Sequence, residues 1–412
     1  MIPGFEQYKE KWHVASDTAI KPGLQAIEGA LVKLQQPQEA LQVVHLAGTN
    51  GKGSTLTFIE HIASRHGLSV GKFMSPCVLD VHDQIQVNGV PISPQQMDEL
   101  FKVMRDAGLS GQLTDFELLT CAALLHFKQT SVDLVLLEAG MGGREDSTNV
   151  VTPLVSVIPS IALEHTNFLG DTIESIARHK AGIIKLGKAV VIGQMEQLAQ
   201  QIIQDEARSL VAPMYAIGEQ FFVTATVQGD RYENKDVVIE GLHRQLPGDH
   251  QRDNMALAIT AFLQVAKALE ITINIDSIKA GIAAATVPGR FEQVLPNVYF
   301  DGAHNPASAE MLARTIEQQF PHQKIEFVIG MLRDKDVTSV LRIFERVSNH
   351  FTFVNFSNTR AMSAEQMQKL SQARELRIVE DCVELLKQSV PSGTVRIVTG
   401  SLYLLNEIRN KL

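Results

Sequence analysis

The stretch LQVVHLAGTNGKGSTLTFIEHIASRHG, residues Leu41 to Gly67, decides the fold. Its first third is a short β-branched run, LQVVHLAG, of the kind that forms a buried strand. Its last third, TLTFIEHIASRHG, has the spacing of a helix of about four turns. The segment that joins them, HLAGTNGKGST, holds three glycines, one lysine and three hydroxyl residues. Strand, glycine-rich turn and helix in that order make a cradle for phosphate. Backbone N–H groups at the helix start carry partial positive charge, and Lys52 adds a full one. Ser54 or Thr55 offers a hydroxyl to magnesium on the phosphates. The pattern G-x-x-x-x-G-K-[ST] is not met, because Leu46 stands at its first glycine and Gly53 separates Lys52 from Ser54. A flexible surface turn would also use glycines, but it would not need the strand, the cation and the helix.

Working outward, the runs VDLVLLEAG, LVSVIP and AVVIG read as further strands of a mostly parallel sheet with crossover helices. From Met214 to Ile239 the pattern changes, and MYAIGEQFFVTATVQ with KDVVIEG predicts a small antiparallel patch. A long helix through NMALAITAFLQVAKAL closes this block. The second block alternates strands (VYFDGA, IEFVIG, FTFVNF, RIVE, VRIVTG) with helices, which predicts an open doubly wound domain. TVPGRFEQVLPN carries two prolines and reads as the linker. The expected fold is α/β: an N-terminal P-loop-type mononucleotide-binding domain over residues 1–293, and a C-terminal Rossmann-like domain over residues 294–412.

Composition sets bounds. The chain has 412 residues, 45% apolar and 20% charged, with a formal charge of -9. An acidic chain lacks the basic face that non-specific nucleic-acid binding requires. Three cysteines far apart suit neither a disulfide frame nor a zinc set and predict reduced thiols in a cytosol. No apolar run approaches the roughly 20 residues of a membrane span, and MIPGFEQYKEKWH has no signal core. The expectation is a cytoplasmic protein with no nucleic acid and no membrane as partner.

A phosphate–magnesium site needs carboxylates. LLEAGMGGREDSTN places Glu138 at the carboxyl end of an apolar strand, the edge of an α/β sheet where ligands gather. The glycines after it allow a close approach by ligand or chain. Downstream lie His165 and, on the next helix, Lys180.

Taken together, these segments resemble the folylpolyglutamate synthase and dihydrofolate synthase family, within the Mur-type ATP-dependent amide ligases. HLAGTNGKGST resembles the family's phosphate loop. TDFELLT, LEAGMGGREDSTN and EHTNFLGDTIESIARHKAGIIK resemble its next three segments, and LPGDHQRDN, PGRFE, DGAHNP, LRDKD and TGSLYL follow in the family's order, from about Lys21 to the C-terminus. The resemblance implies a ligase that uses ATP to activate a carboxylate of a folate or dihydropteroate as an acyl phosphate. The amine of L-glutamate then displaces phosphate. It implies that Thr49, Asn50, Gly51, Lys52, Gly53 and Ser54 hold the nucleotide, and that Ser54 and Glu138 bind Mg2+. His165 would bind a second metal ion. Lys180 matches a lysine the family carbamylates, so it should be buried or have a lowered pKa. Lys52, Glu138, His165 and Lys180 form the catalytic set. Asn254 matches a base- or ribose-side contact, Arg290 a phosphate contact, and Asp301 and His304 nucleotide or acyl-phosphate contacts made by the C-terminal domain, with water excluded on closure. Phe116 and Asp146 match pterin-side positions. The implied state is a monomer.

The chain departs from the family's pattern on the acceptor side. Cys77 and Asp83-Gln84 in SPCVLDVHDQIQVNG replace a histidine and a Glu-Arg pair, Gln25 and Ala26 follow KPGL where an arginine is usual, and Glu164 replaces an aspartate. Cys77 as a nucleophile is disfavoured, since acyl-phosphate chemistry needs none. Two alternatives stay open: a Mur-type ligase acting on a different carboxylic acid, and a nucleotide-binding protein that has lost ligase activity.

Overall fold

Parallel strands buried on both faces are mostly apolar, and the chain's first sheet is built largely from such runs. The computed structural model describes residue 2 and residues 4–17, 23–77 and 80–412. Lys21 and Pro22 of KPGL, and Val78 and Leu79 of SPCVLD, lie outside the described residues. Among the described residues the first sheet has eight strands: β1 (Val43–Leu46), β2 (Val70–Phe73), β3 (Ile85–Val87), β4 (Val90–Pro91), β5 (Leu134–Glu138), β6 (Val155–Ile158), β7 (Ala189–Ile192) and β8 (Met214–Ala216). Their order is β4-β3-β2-β5-β1-β6-β7-β8. β1, β2, β5 and β6 are buried at every position. The helix Lys52–Arg65 crosses from β1 towards β2, as LQVVHLAGTNGKGST predicts.

Register positions the site. Leu46 of β1 pairs with Glu138 of β5 and with Val157 of β6. The phosphate loop, Glu138 and the segment after Ile158 therefore leave the sheet side by side at its carboxyl edge, where open α/β folds bind ligands.

Three features differ from the sequence reading. Met214–Ala216 is not part of the antiparallel patch; it pairs parallel with β7 and closes the main sheet, since Val190, Val191 and Ile192 leave an edge to cover. The patch itself is β9 (Phe221–Thr226), β10 (Gly229–Asn234) and β11 (Val238–Leu242), all antiparallel. At the far edge, β3 and β4 form a hairpin through Asn88 and Gly89, both with positive φ. That Asn-Gly pair is the strong short-hairpin signal and was present in the sequence.

The second sheet comprises β12 (Glu292–Leu295), β13 (Val298–Asp301), β14 (Lys324–Ile329), β15 (His350–Val354), β16 (Glu375–Val379) and β17 (Thr394–Thr399), in the order β12-β13-β17-β14-β15-β16. All pairs are parallel except β12–β13. One hydrophobic cluster, around Phe327, Phe344 and Phe351, packs one set of its side chains, and another, around Phe300, Val398 and Leu404, packs a second set. That is the doubly wound arrangement. β12 lies inside TVPGRFEQVLPN, so that part of the stretch is an edge strand and not a linker. Its Pro288 and Pro296 sit outside the strand, where proline's missing donor does no harm. Two compact units divide between Ala285 and Thr286, and the second also takes Leu246–Gln251. No described helix is long and apolar enough to cross a membrane.

Candidate active site

The phosphate loop turns at Gly51, whose φ of 88° is open to glycine. Space demands glycine as well: a Cβ there would stand 2.5 Å from Asn254 Oδ1. The helix that follows starts with no side-chain cap on Gly51. Its first N–H groups have no intrahelical acceptor, so the turn presents donors and a partial positive charge to an anion.

The loop is clamped from the neighbouring strand. Thr49 N donates to Ser160 O at 2.9 Å, and Asn50 N donates to Ser160 Oγ at 3.0 Å. Thr49 Oγ1 donates to Ala162 O at 3.1 Å and accepts from Ala162 N at 3.0 Å. These bonds occupy the Thr49 hydroxyl and two of the amides, so Thr49 and Asn50 shape the cradle while Lys52, Gly53 and Ser54 sit on its donor turn. Sequence reasoning missed Ser160. Its only signal was a serine just beyond a strand end adjoining the loop.

Lys52 Nζ donates to Gly48 O at 2.9 Å and lies 3.8 Å from Glu138 Oε1. The ammonium is thereby arched over its own loop beside a buried carboxylate. Ser54 is buried in the first helical turn. Thr55 Oγ1 reaches Asn254 Oδ1 at 3.4 Å, which turns that hydroxyl inwards and leaves Ser54 as the hydroxyl for a metal. Asn254, on the helix Asp249–Ala268, backs the loop at Gly51 and Thr55.

Lys180 lies in the last turn of the helix Ile173–Ala181, whose start is capped by Thr172. It is only 3% exposed. Burial and the charge of Lys52 lower its pKa from 10.5 to about 7, against the opposing pull of Glu164 and Asp146. The Gly-Met-Gly-Gly run explains its setting. Gly143 lies so near that helix that a Cβ would meet His179 O at 2.7 Å and Lys180 Cα at 3.1 Å. Arg144 N donates to His179 O at 2.7 Å. The close approach the glycines allow is made by the chain itself.

His165 begins the one-turn helix Thr166–Leu169 with φ 52° and is exposed, three residues beyond the Ala162 that pins Thr49. No three His, Cys, Asp or Glu side chains converge on one point among the described residues. The donor set beside the cradle is instead one hydroxyl, Ser54, and one carboxylate, Glu138. That set fits magnesium, a hard ion that keeps several waters and leans on substrate phosphates more than on a protein cage.

Phe116 stands in the first turn of Asp115–Thr130, a helix held by a Thr114–Glu117 capping box. It is half-buried and stacks on Phe73 with ring centroids 5.7 Å apart. Asp146 is buried, and burial raises its pKa while Met141 N–H and Thr148 oppose the rise. Met141 N donates to Asp146 Oδ2 at 2.8 Å. On the acceptor-side departures, burial pushes the Cys77 thiol up to about 12, which makes it no nucleophile at neutral pH. Gln84 is buried, and its Nε2 donates to Met74 O at 3.2 Å.

In the second unit, Asp301 ends β13 at that sheet's carboxyl edge. Its carboxylate accepts from Phe291 N and Ala303 N, both at 2.9 Å. Burial raises its pKa, and Arg290 is the main opposing charge. His304 Nδ1 donates to Gly302 O at 2.8 Å, which leaves Nε2 as the other ring nitrogen. Asn305 then caps the helix Pro306–Gln319. Arg290, Asp301 and His304 are thus gathered at one corner.

Comparison with known proteins bears on both units. Residues 46–262 match the family described as Mur ligase middle domain, and residues 292–411 match that described as dihydrofolate synthetase, C-terminal domain. The chain is 35% identical to a Bacillus subtilis protein named dihydrofolate synthase/folylpolyglutamate synthase, over 100% of each chain. It is similar to Escherichia coli FolC in complex with DHPP and ADP, with TM-score 0.90, 28% identity and coverage of 99% and 97%. It is also similar to Mycobacterium tuberculosis folylpolyglutamate synthase complexed with ADP, with TM-score 0.89, 28% identity and coverage of 99% and 98%.

Proposed function

The chain belongs to the folylpolyglutamate synthase/dihydrofolate synthase family of Mur-type ligases, and on that premise we propose the division of labour among its residues in the reaction of that family. The protein is an ATP-dependent ligase. It joins L-glutamate to a folate or dihydropteroate through an amide bond, by way of an acyl phosphate, and releases ADP and phosphate.

The observation that carries the assignment is Lys52 arched over an uncapped helix start, 3.8 Å from Glu138. A folate carboxylate attacking a phosphate brings anion onto anion, which is repulsive at short range. Lys52 and the amides of Gly53 and Ser54 offset that repulsion by holding the β- and γ-phosphates. Thr49, Asn50 and Gly51 set the loop's shape, and Asn254 buttresses it. Catalysis is then positioning and charge stabilisation.

Ser54 and Glu138 would hold Mg2+, with His165 as the ligand for a second ion. Bound there, magnesium neutralises phosphate charge and aligns the γ-phosphate with the attacking carboxylate. Lys180 is a candidate for carbamylation. Its ammonium loses one proton to give the neutral amine, which adds to CO2, forms an N–C bond and loses a second proton, so that a cation becomes an anion with two oxygens. A pKa near 7 keeps the necessary neutral amine in supply at physiological pH. Phe116 supplies a ring face and Asp146 a hydrogen-bond acceptor for the pterin. Arg290, Asp301 and His304 form an anion-handling corner on the second unit, with Arg290 as its cation. We place the enzyme in the cytoplasm as a monomer; the three widely spaced cysteines suit a reducing compartment.

The test is phosphate release by purified protein given ATP, magnesium, glutamate and either dihydropteroate or a reduced folate. Release that depends on both the acid and glutamate is expected. Absence of release with every pteroate and folate would favour a nucleotide-binding protein without ligase activity.

A further inference from the structure

His45 is the one residue of HLAGTNGKGST with a buried ionisable side chain to which the reaction above gives no task. It lies within β1, fully enclosed, paired in register with Leu137 of β5 and Ser156 of β6. Its Nε2 is 2.8 Å from Thr148 Oγ1, and its buried Nδ1 has no hydrogen-bond partner. Thr148 Oγ1 is 2.5 Å from Asp146 Oδ1, and Thr148 N donates to the same oxygen at 3.0 Å. Asp146 Oδ2 accepts from Met141 N. A row of polar atoms thus runs from the core of the phosphate-loop strand to the loop that follows Glu138.

Proton counting fixes its direction. A threonine hydroxyl has one proton. If Thr148 donates it to Asp146, its oxygen is left to accept from His45 Nε2–H, and Nδ1 carries a lone pair. The opposite direction puts the proton on Nδ1, where a buried N–H has no acceptor. It also needs a protonated Asp146 to donate to Thr148. A buried N–H without an acceptor is the rarer and costlier defect. Burial raises the Asp146 pKa, while the N–H groups of Met141, Thr148 and Gly140 and the Thr148 hydroxyl act the other way and favour the carboxylate. Burial lowers the His45 pKa to about 3, so the ring stays neutral throughout the working range.

We propose that His45 and Thr148 are positioning residues for the acceptor, which hold Asp146 as an oriented, ionised carboxylate that takes hydrogen bonds from ring N–H groups. The choice of acceptor is then tied, through β1, to the strand that carries the phosphate loop. This rests on the assignment of Asp146 to the pterin side.

Two measurements test it. Nitrogen NMR of the imidazole in the intact protein should show Nε2 protonated and Nδ1 bare across neutral pH; an Nδ1–H tautomer would overturn the proposal. Steady-state kinetics should then separate two amides. His45→Gln places an N–H near Nε2 and should keep the KM for dihydropteroate near the wild-type value. His45→Asn places it near Nδ1 and should raise that KM about tenfold or more, the scale of a lost hydrogen bond to a charged group, with the KM for ATP nearly unchanged. Thr148→Ser should behave as wild type and Thr148→Val as His45→Asn. Equal losses in the two amide variants, or parallel rises in both KM values, would mean that His45 only fills the core. Asp146→Ala with an unchanged acceptor KM would instead remove the pterin assignment, while the tautomer result would still report on the network.

Discussion

The roles proposed for the two lysines at the site differ in kind. Lys52 is assigned to the phosphates, so Lys52→Ala should lower kcat by about a thousandfold, the upper range for removing one preorganised donor from a developing charge. Circular dichroism should show the fold retained; near-normal turnover would refute the cradle. Lys180 is proposed to react with CO2 as a neutral amine, and its pKa of about 7 gives the expected pH dependence. Below that value the amine is protonated and carbamate cannot form, so kcat/KM at fixed bicarbonate should fall on the acid side with a midpoint near 7. Stability follows the same sign. Between about 7 and 10.5 the unfolded chain binds the proton that the folded chain refuses, so stability rises with pH across that window and the burial penalty is complete below it. Lys180→Ala should lose activity, and short carboxylic acids should restore part of it without the acid limb. A fully active Lys180→Ala enzyme would remove the carbamate from the mechanism.

The loop after Glu138 and the helix carrying Lys180 meet through a close backbone approach. Gly143 meets the helix carrying Lys180 so closely that Gly143→Ala must displace one of them. We expect a loss of about 1–3 kcal/mol, as for other overpacked sites, seen as a lower Tm, together with a fall in kcat that exceeds the fall in stability. An unchanged kcat would mean that the register between this loop and Lys180 is immaterial. The sequence of elements was legible because burial writes itself into composition: β1, β5 and β6 are mostly apolar runs, each with one polar residue, and the helix Lys52–Arg65 follows a glycine turn. The strands misread are those where local pattern and tertiary pairing part company. Met214–Ala216 has no signal for parallel or antiparallel, and only the open edge of β7 decides it. Glu292–Leu295 looks like linker because it is short, half-exposed and close to prolines. At the site, Lys52 and Glu138 could be singled out from type and position, and Lys180 from the family resemblance. Ser160 and the His45–Thr148 bond could not, since residues about a hundred positions apart in sequence meet only through the register of β1 with its neighbours.

At the scale of the whole chain, hydrophobic burial is divided. One pair of clusters, around Phe101 with Leu118 and around Ile158 with Ile192, belongs to the first unit; another, around Phe327 and around Val398, belongs to the second. Each unit has its own sheet and its own core, and a chain with two cores is not bound to unfold in one step. Calorimetry should therefore resolve two transitions. On the proposed assignment, a non-hydrolysable ATP analogue with magnesium should bind the cradle of the first unit and stabilise it by about 2.7 kcal/mol at a hundred times Kd. The transition belonging to that unit should move up, and EDTA should abolish most of the shift, because phosphate without a metal leaves Ser54 and Glu138 with nothing to hold. Lys52→Ala should abolish it too, with EDTA or without. A shift that persists in EDTA would show that amides and ammonium alone grip the nucleotide, and Glu138 would then need another role. A single transition that moves as one would show instead that the two cores unfold together, and that nucleotide bound to the first unit stabilises the chain as a whole.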